Sequence, residues 1–376
     1  MQFIVKPTST NPSVVCKKFL RFHSTVVLIT IGGLALFSTG FMFGLLWNMD
    51  GSCSKFKSID DEADREINQD AARNVGDVES LGKELTEVGL ANGLIHLSST
   101  TQKQDTDLLI LIMSAPGYKD RRDAIRQTWV NLIDDRLIKY YFVIGTHAGS
   151  KLVLEHLRKE QEDFKDIIIF PHIDDSYSTL SQKLLESLKW TYSRFNYKFV
   201  LKIDDDSFVR VDALYDELKT KKSDHRTLYW GYFDGDAPVK RQGKWTEDNW
   251  FLCDKYLPYA LGGGYVISSS LVKYIVTNSH LLSLYHNEDV NMGVWLASLN
   301  ITRQHDPRFD TEYKSRGCSN NFLVSHRQNI NDMREKYDNL KQFGVLCKSQ
   351  VMLRKAYFYN WKVAPSSCCY RNISLL

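Results

Sequence analysis

From residue 107 onward, continuous apolar runs alternate with amphipathic segments. Apolar runs of strand length occupy 108–113, 138–144, 167–170 and 199–203, and segments with helical patterning occupy 121–129, 151–163, 178–194 and 212–222. A strand that is buried on both faces of a sheet is apolar throughout, and strands that alternate with helices form right-handed βαβ units. The pattern therefore predicts an α/β fold with a mostly parallel central sheet.

The pattern changes after residue 228. It predicts a strand over 228–233, a loop-rich stretch over 234–258, and a strand over 259–267 that three consecutive glycines interrupt. Glycine inside a strand indicates a bulge or the close approach of another group. Ser268 or Ser269 is the expected cap of the next helix, and Asn287 is the expected cap of the one after it. A last helix is predicted over 331–343 within an otherwise irregular segment.

The N-terminal segment 25–47 contains no charged residue. A spanning helix needs about 20 apolar residues, so this segment is long enough to cross a bilayer. Lysine and arginine precede it, which favours a cytoplasmic N-terminus. The sequence thus predicts a cytoplasmic tail at 1–24, a transmembrane signal anchor at 25–47, a polar stem at 48–106 and a lumenal domain at 107–376. A cleaved signal peptide is the alternative, but its apolar region would span only about 7–15 residues.

The overall composition is that of a globular protein. The chain has 376 residues, of which 43% are hydrophobic and 25% charged, and a net charge of +3 that does not favour a nucleic-acid partner. Five cysteines lie in the last third of the chain, where an oxidising lumen would permit at most two pairs of unassigned connectivity. Cys53 could join two chains, which leaves a homo-oligomer open. Asn300 and Asn372 begin glycosylation sequons.

Three consecutive carboxylates, Asp204, Asp205 and Asp206, end the apolar run at 199–203. The carboxyl end of a sheet strand is where open α/β folds bind ligands, and Mg²⁺ and Mn²⁺ prefer carboxylate and phosphate oxygens. The triplet therefore predicts a metal that holds a nucleotide diphosphate. The alternative is a solvated acidic turn that closes the strand.

Three further clusters carry candidate chemistry, and each has a structural alternative. The basic set Arg121, Arg122 and Arg126 suits a diphosphate, or is simply the polar face of a helix. The pair Glu288 and Asp289 could supply a general base, or could compensate a helix dipole. The histidines His305 and His326 are candidate metal ligands, although a lone histidine is more often structural.

Taken in order, these segments resemble the β-1,3-glycosyltransferases. The matching segments are 122–129 (RDAIRQTW), 175–180 (DSYSTL) with Lys183 and Trp190, 202–206 (KIDDD), 262–268 (GGGYVIS) and 288–290 (EDV). The resemblance covers about residues 107–370. Segments 250–254, 256–265, 305–319 and the Cys368-Cys369 ending are similar to members that build the glycosaminoglycan linkage region.

The resemblance implies a GT-A-like nucleotide-sugar-binding fold in a single-pass type II protein of the Golgi membrane. The implied donor is UDP-galactose, and the implied acceptor is galactosyl-xylosyl-serine of a proteoglycan core protein. The product would be a β-1,3 bond, formed with inversion. Mn²⁺ is the implied cofactor.

The resemblance also assigns roles to residues. Asp289 would be the catalytic base, and Asp204, Asp206 and His326 would hold the metal, with His305 as the second choice for the third ligand. The residues expected to bind the donor are Arg122, Arg126, Asp175, Lys183, Asp205, Gly263 and Gly264. Trp250 and Tyr265 could stack on sugars or belong to the core.

Three other functions are compatible with the sequence. A metal-dependent nucleotide-sugar hydrolase would use the same acidic triplet without an acceptor. A lumenal lectin-like protein would bind glycans without turnover. A β-1,3-transferase could also act on another glycoprotein or glycolipid acceptor.

Overall fold

The computed structural model describes residues 102–371 except 134–135, 148 and 222–225. The predicted tail, anchor and stem up to residue 101 lie outside the described residues. Within the described part, no helix has the length and apolar character that crossing a bilayer would require.

Fourteen strands lie in the described part of the chain. They are β1 (Gln104–Asp105), β2 (Leu108–Met113), β3 (Ile138–Gly145), β4 (Ile167–Phe170), β5 (Phe195–Asn196), β6 (Phe199–Asp204), β7 (Ser207–Val209), β8 (Leu228–Asp234), β9 (Tyr259–Ser268), β10 (Thr302–His305), β11 (Phe309–Asp310), β12 (Gly317–Cys318), β13 (Val324–His326) and β14 (Val351–Met352). The longer strands agree with the apolar runs in the sequence.

Seven α-helices accompany them in the same residues. They are α1 (Lys119–Gln127), α2 (Lys151–Phe164), α3 (Leu180–Arg194), α4 (Val211–Thr220), α5 (Ser269–Thr277), α6 (Glu288–Leu296) and α7 (Ile330–Phe343). Asn287 and Ser268 precede α6 and α5 as predicted, but neither side chain caps its helix by a hydrogen bond. Asn329 does cap α7, since its side chain accepts from two backbone N–H groups of the first turn.

The central sheet has seven strands in the order β10-β8-β9-β6-β2-β3-β4. All neighbouring pairs are parallel except those of β9, which runs antiparallel to both β6 and β8. The fold is therefore α/β, as predicted, with a mixed sheet in which β9 is the reversed strand. This reversal places Gly264 opposite Ile203 of β6, so that Gly263 and Gly262 follow at the carboxyl end of that strand.

Helices cover both faces of this sheet. Alternate residues of β2 point to opposite faces, so Leu108, Ile110 and Ile112 join one core and Leu109, Leu111 and Met113 join the other. The first core contains apolar residues of α1, α2, α4 and α7. The second contains apolar residues of α3, α5 and α6. All six residues of β2 are buried, which explains its continuous apolar sequence.

A small second sheet, β11-β13-β7, is attached to the end of β6. Asp205 and Asp206 form the turn between β6 and β7, and β13 pairs antiparallel with β7 so that His326 lies opposite Ser207. This pairing brings a histidine from late in the chain to the acidic triplet.

Four of the five cysteines in the described part form two disulfides, Cys318–Cys347 and Cys368–Cys369. Cys253 is exposed and unpaired. Both disulfides lie in the irregular C-terminal segment, where they join residues that no long strand or helix fixes.

Candidate functional site

Three metal-ligand side chains converge at the carboxyl end of β6. One ligand atom from each of Asp204, Asp206 and His326 lies within 4.8 Å of the others. The Nε2 atom of His326 is 3.3 Å from Oδ1 of Asp206 and 3.9 Å from Oδ2 of Asp204. Two carboxylates and one imidazole fit a small divalent cation. These are the three residues predicted to hold the metal.

The charges of this trio depend on one another. Burial acts to lower the pKa of His326, but its hydrogen bond to Asp206 and the charges of Asp204 and Asp206 raise it. Burial raises the pKa of Asp204. The negative charges of Asp204 and Asp206 favour either protonation of His326 or binding of a cation.

Asp205, the middle carboxylate, faces away from the trio. It is buried and accepts hydrogen bonds from Ser114 Oγ at 2.8 Å and Arg121 Nη1 at 2.7 Å. Burial raises its pKa to about 6 despite these partners. Arg121 also lies 3.9 Å from Asp206. Of the basic set on α1, Arg121 is the arginine that reaches the acidic triplet.

Lys202 connects the trio to the start of α6. Its buried Nζ atom donates to Asp204 Oδ1 at 2.8 Å, to the Gly262 carbonyl at 2.6 Å and to Glu288 Oε1 at 2.5 Å. Burial acts to lower the pKa of Lys202, but the charges of Asp204 and Glu288 raise it, so the amine is charged. All three of its donors are used.

Asp289, the predicted base, lies beside this lysine network. Its Oδ2 accepts from the Gly262 N–H at 2.9 Å, and its Oδ1 accepts from the Val290 N–H at 2.8 Å. Burial and, second to it, the charge of the neighbouring Glu288 carboxylate raise the pKa of Asp289 to about 7. A carboxylate with a pKa near neutral is suited to general-base catalysis.

The glycines of β9 allow these groups to approach. A Cβ atom at Gly262 would lie 2.8 Å from Glu288 Oε1, and one at Gly263 would lie 2.7 Å from Cγ of His326. A Cβ at Gly264 would lie 3.0 Å from Val324. Glu288 and Asp289 thus contact Gly262, and His326 contacts the adjacent Gly263 of the same strand. Gly263 and Gly264 were predicted to face the donor, and here they lie against β13.

Asp175 and Lys183 were predicted to line the nucleotide side, and the structure brings them together. Lys183 Nζ donates to Asp175 Oδ1 at 2.7 Å and to the Ser114 carbonyl at 2.9 Å. Asp175 Oδ2 accepts from the Gly145 N–H at 3.2 Å. The pair therefore lies at the carboxyl ends of β2 and β3, on the same edge of the sheet as the trio.

Arg122 and Arg126 lie in a buried ion-pair network. Arg122 is fully buried and donates to both carboxylate oxygens of Glu160, at 2.9 and 2.7 Å. Arg126 bonds Glu160, Asp166 and Asp123. Both guanidiniums join α1 to α2 through Glu160, and Arg126 also binds Asp166, which precedes β4. Direct donor contact by either arginine stays a prediction.

Two alternatives from the sequence are resolved by burial and hydrogen bonds. His305 accepts from the Phe233 N–H at 3.0 Å and uses its other nitrogen on the Tyr357 carbonyl at 2.9 Å, and burial lowers its pKa to about 4. It is thus a neutral structural histidine and not a metal ligand. Trp250 and Tyr265 are both buried in the core, which leaves neither ring face open to a sugar.

A cleft of about 720 Å³ opens beside the trio. Its wall includes Asp206, the first turn of α7 and the three arginines Arg121, Arg327 and Arg334. A cleft of this size accommodates a ligand of several hundred daltons, and arginines recognise phosphate oxygens.

Lys202 belongs to the motif 202–206, but no role was predicted for it. A signal was present, since a lysine inside the apolar run 199–203 must be buried and needs a counter-charge. The roles of Ser114 and Glu160 carried no such signal, because their partners are 91 and 38 residues away.

The α/β fold and the candidate metal site, with the Asp289 carboxylate beside it, fit the class of protein that the sequence predicted, a glycosyltransferase. Residues 120–307 match the family described as Galactosyltransferase. The chain belongs to the galactosyltransferase family.

Individual relatives agree with this assignment. The chain is 45% identical over 270 residues to β-1,3-galactosyltransferase 6 of Mus musculus, which covers 70% of this chain and 82% of the relative. It is 33% identical over 262 residues to hydroxyproline O-galactosyltransferase GALT6 of Arabidopsis thaliana, covering 66% of this chain and 38% of the relative. It is 32% identical over 191 residues to UDP-GalNAc:β-1,3-N-acetylgalactosaminyltransferase 2 of Xenopus tropicalis, covering 51% and 38%.

Proposed function

We propose that this protein is an inverting, metal-dependent β-1,3-galactosyltransferase. It transfers galactose from UDP-galactose to the 3-hydroxyl of the galactose in galactosyl-xylosyl-protein, and so extends the glycosaminoglycan linkage region. The name of the mouse relative supports the β-1,3-galactosyl transfer. The acceptor rests on the resemblance of segments 250–265 and 305–319 to enzymes of that pathway.

One observation carries the proposal: the base and the candidate metal ligands contact adjacent residues of β9. Asp289 binds the Gly262 N–H, and His326 lies against Gly263. Inversion requires the base and the leaving group on opposite faces of one sugar carbon. The Asp289 carboxylate and the proposed diphosphate site at the trio lie next to each other along β9, where one sugar carbon can be placed between them.

Asp204, Asp206 and His326 fit a divalent cation by the chemistry of their donor atoms, and Mn²⁺ is our proposal for it. Such an ion would neutralise charge that develops on the departing diphosphate. Arg121 and Arg327 line the adjacent cleft and would bind phosphate oxygens directly.

Asp289 acts on the acceptor. Its ionised carboxylate accepts the proton of the attacking 3-hydroxyl, while the N–H groups of Gly262 and Val290 hold it in place. Lys202 donates a hydrogen bond to Glu288 and fixes it next to the base. These contacts orient the carboxylate before the acceptor arrives.

The proposed setting is the Golgi membrane, with residues 25–47 as a type II anchor and the described part in the lumen. The apolar segment and its flanking basic residues support this placement. Immunofluorescence of the full-length chain, combined with protease protection of sealed vesicles, tests it. A cytosolic C-terminus would reject it.

The activity is tested with the full-length chain in detergent, UDP-galactose and a panel of acceptors that includes galactosyl-β-1,4-xyloside. We expect UDP release that requires both the acceptor and Mn²⁺, and a β-1,3 linkage by NMR of the product. UDP release without an acceptor would instead identify a hydrolase. Preference for an unrelated β-galactoside would retain the transferase and reject the linkage-region acceptor.

A further inference from the structure

Three aromatic side chains, Tyr177, Trp245 and Tyr313, form an exposed row next to the candidate site. Their exposed fractions are 47%, 39% and 61%. Single exposed aromatic residues are ordinary, but contiguous exposed apolar surface beside a cleft marks a place where a ligand binds. These three residues, named here the aromatic row, have no role in the transfer chemistry described above.

Direct contacts hold the aromatic row together. The rings of Trp245 and Tyr313 meet edge to face, with centroids 5.6 Å apart and planes at 85°. The Nζ atom of Lys244 lies 4.0 Å from the centroid of Tyr177 and 5.2 Å from that of Trp245. Trp245 and Tyr313 are thus in direct contact, and Lys244 bridges Tyr177 to Trp245.

The aromatic row reaches both halves of the site. Asn287, two residues before the base Asp289, donates through Nδ2 to the Trp245 carbonyl at 3.3 Å. At the other end, Cζ of Arg327 lies 5.7 Å from the ring centroid of Tyr313, and Arg327 follows His326 in the chain. The row therefore extends from the helix that carries the base to the residue beside the histidine of the trio.

The loop that carries Trp245 is fixed in place. Glu247 is fully buried and accepts from the His286 N–H at 2.6 Å. The Nδ1 atom of His286 lies 2.8 Å from the Thr246 carbonyl. A ring on an anchored loop loses little conformational freedom when a ligand stacks on it, which is the arrangement expected of a preformed binding surface.

We propose that the aromatic row is the acceptor-sugar subsite, with Trp245 as its central stacking residue. This inference rests on the proposed function, because it takes the ligand to be the glycan whose hydroxyl meets Asp289. A neutral sugar has an apolar C–H face that packs on an aromatic ring, and pockets for such ligands are lined by aromatic groups. The nucleotide donor is placed by the proposed function at the trio and the arginine cleft, which the aromatic row adjoins at Tyr313.

Steady-state kinetics of the full-length chain and its variants test the inference. Trp245→Ala and Tyr313→Ala should each raise the acceptor KM about tenfold or more. The donor KM and the affinity for UDP with Mn²⁺ should stay within twofold, which also shows that each variant folds. Trp245→Phe should recover most of the acceptor affinity, since it restores a ring.

Phe251→Ala is the matched control, because Phe251 is 78% exposed on the same loop and lies outside the aromatic row. It should leave both KM values unchanged. Normal transfer by the wild type with unchanged acceptor KM in Trp245→Ala and Tyr313→Ala would overturn the subsite alone. Absence of transfer by the wild type to every acceptor would overturn the proposed function, and the subsite with it.

Discussion

Lys202 Nζ lies 2.5 Å from Glu288 Oε1, although the two residues are 86 positions apart in the chain. The same nitrogen binds Asp204, so one buried cation balances a candidate metal ligand and a neighbour of the base. Removal of one partner of a buried ion pair leaves an uncompensated charge and is strongly destabilising.

We therefore expect Lys202→Met to lower the free energy of unfolding by about 3–5 kcal/mol. The double variant Lys202→Met/Glu288→Gln should recover part of this loss, because it removes one of the stranded carboxylates. Denaturant titration measures both. Lys219→Met is the control: Lys219 and Asp216 form an exposed pair, and its loss should change stability by less than about 1 kcal/mol. A loss in Lys202→Met no larger than in the control would contradict the bridging role.

Asp289→Asn should reduce kcat by about 10²–10⁴-fold, because the amide cannot accept the proton of the acceptor hydroxyl. The affinity for UDP with Mn²⁺ should be retained, since Asp289 does not belong to the trio. Transfer kinetics and isothermal titration calorimetry measure the two quantities. A kcat within a few-fold of the wild type would exclude Asp289 as the base.

The pH dependence of activity follows from the pKa of about 7 that burial and Glu288 give Asp289. The base is active when ionised, so kcat/KM should fall about tenfold for each pH unit below about 6 and level off above about 7. The profile is measured at saturating metal. Stability has the opposite sign: a folded pKa above the unfolded value of about 3.9 favours folding at low pH, and this contribution is lost as pH rises through about 7. A flat kcat/KM between pH 5 and pH 8 would contradict this assignment.

The neighbouring arginines of α1 should behave differently. Arg121→Met should raise the donor KM and cost less stability than Arg122→Met, because the Arg121 side chain lines the cleft and is 38% exposed, and Ser114 remains as a hydrogen-bond donor to Asp205. Arg122→Met should instead cost about 3–5 kcal/mol of stability, because Glu160 loses its buried bidentate partner. Thermal unfolding and donor kinetics of the two variants provide the comparison. A raised donor KM in a fully stable Arg122→Met protein would support the donor role that the sequence predicted.

The two histidines offer a similar contrast. His326→Gln should weaken Mn²⁺ binding at least tenfold, since it removes one of three converging ligand atoms. His305→Gln should lower the melting temperature and leave Mn²⁺ affinity unchanged, because both ring nitrogens of His305 bind backbone groups. Electron paramagnetic resonance of Mn²⁺ reports the affinity. Equal losses of Mn²⁺ affinity in the two variants would remove His326 from the trio.

Much of the fold could be predicted because β2, β3, β4 and β6 are buried and therefore apolar in sequence. The reversed direction of β9 could not, since an apolar run has the same appearance in either direction. Asp175 and Lys183 were predicted from the family resemblance to share a site, and the structure brings them into contact after β4.

The burial of Arg122 could not be predicted from the sequence. Its partner Glu160 lies on α2, and nothing in the periodicity of either helix indicates that these two charges face each other. The aromatic row could not be predicted either, because its three residues come from three separate segments of the chain and come together only in the folded protein.

The glycine run of β9 has a mechanical consequence. The Gly262 N–H donates to the base Asp289, and the Gly263 carbonyl accepts from Ser207 Oγ beside the trio. Neither glycine has a side chain that separates its backbone from these partners. A displacement of this strand by a fraction of an ångström would move the proton acceptor and the cation ligands together. Gly262 and Gly263 thus hold the base and the side of the metal ligands on one continuous stretch of backbone.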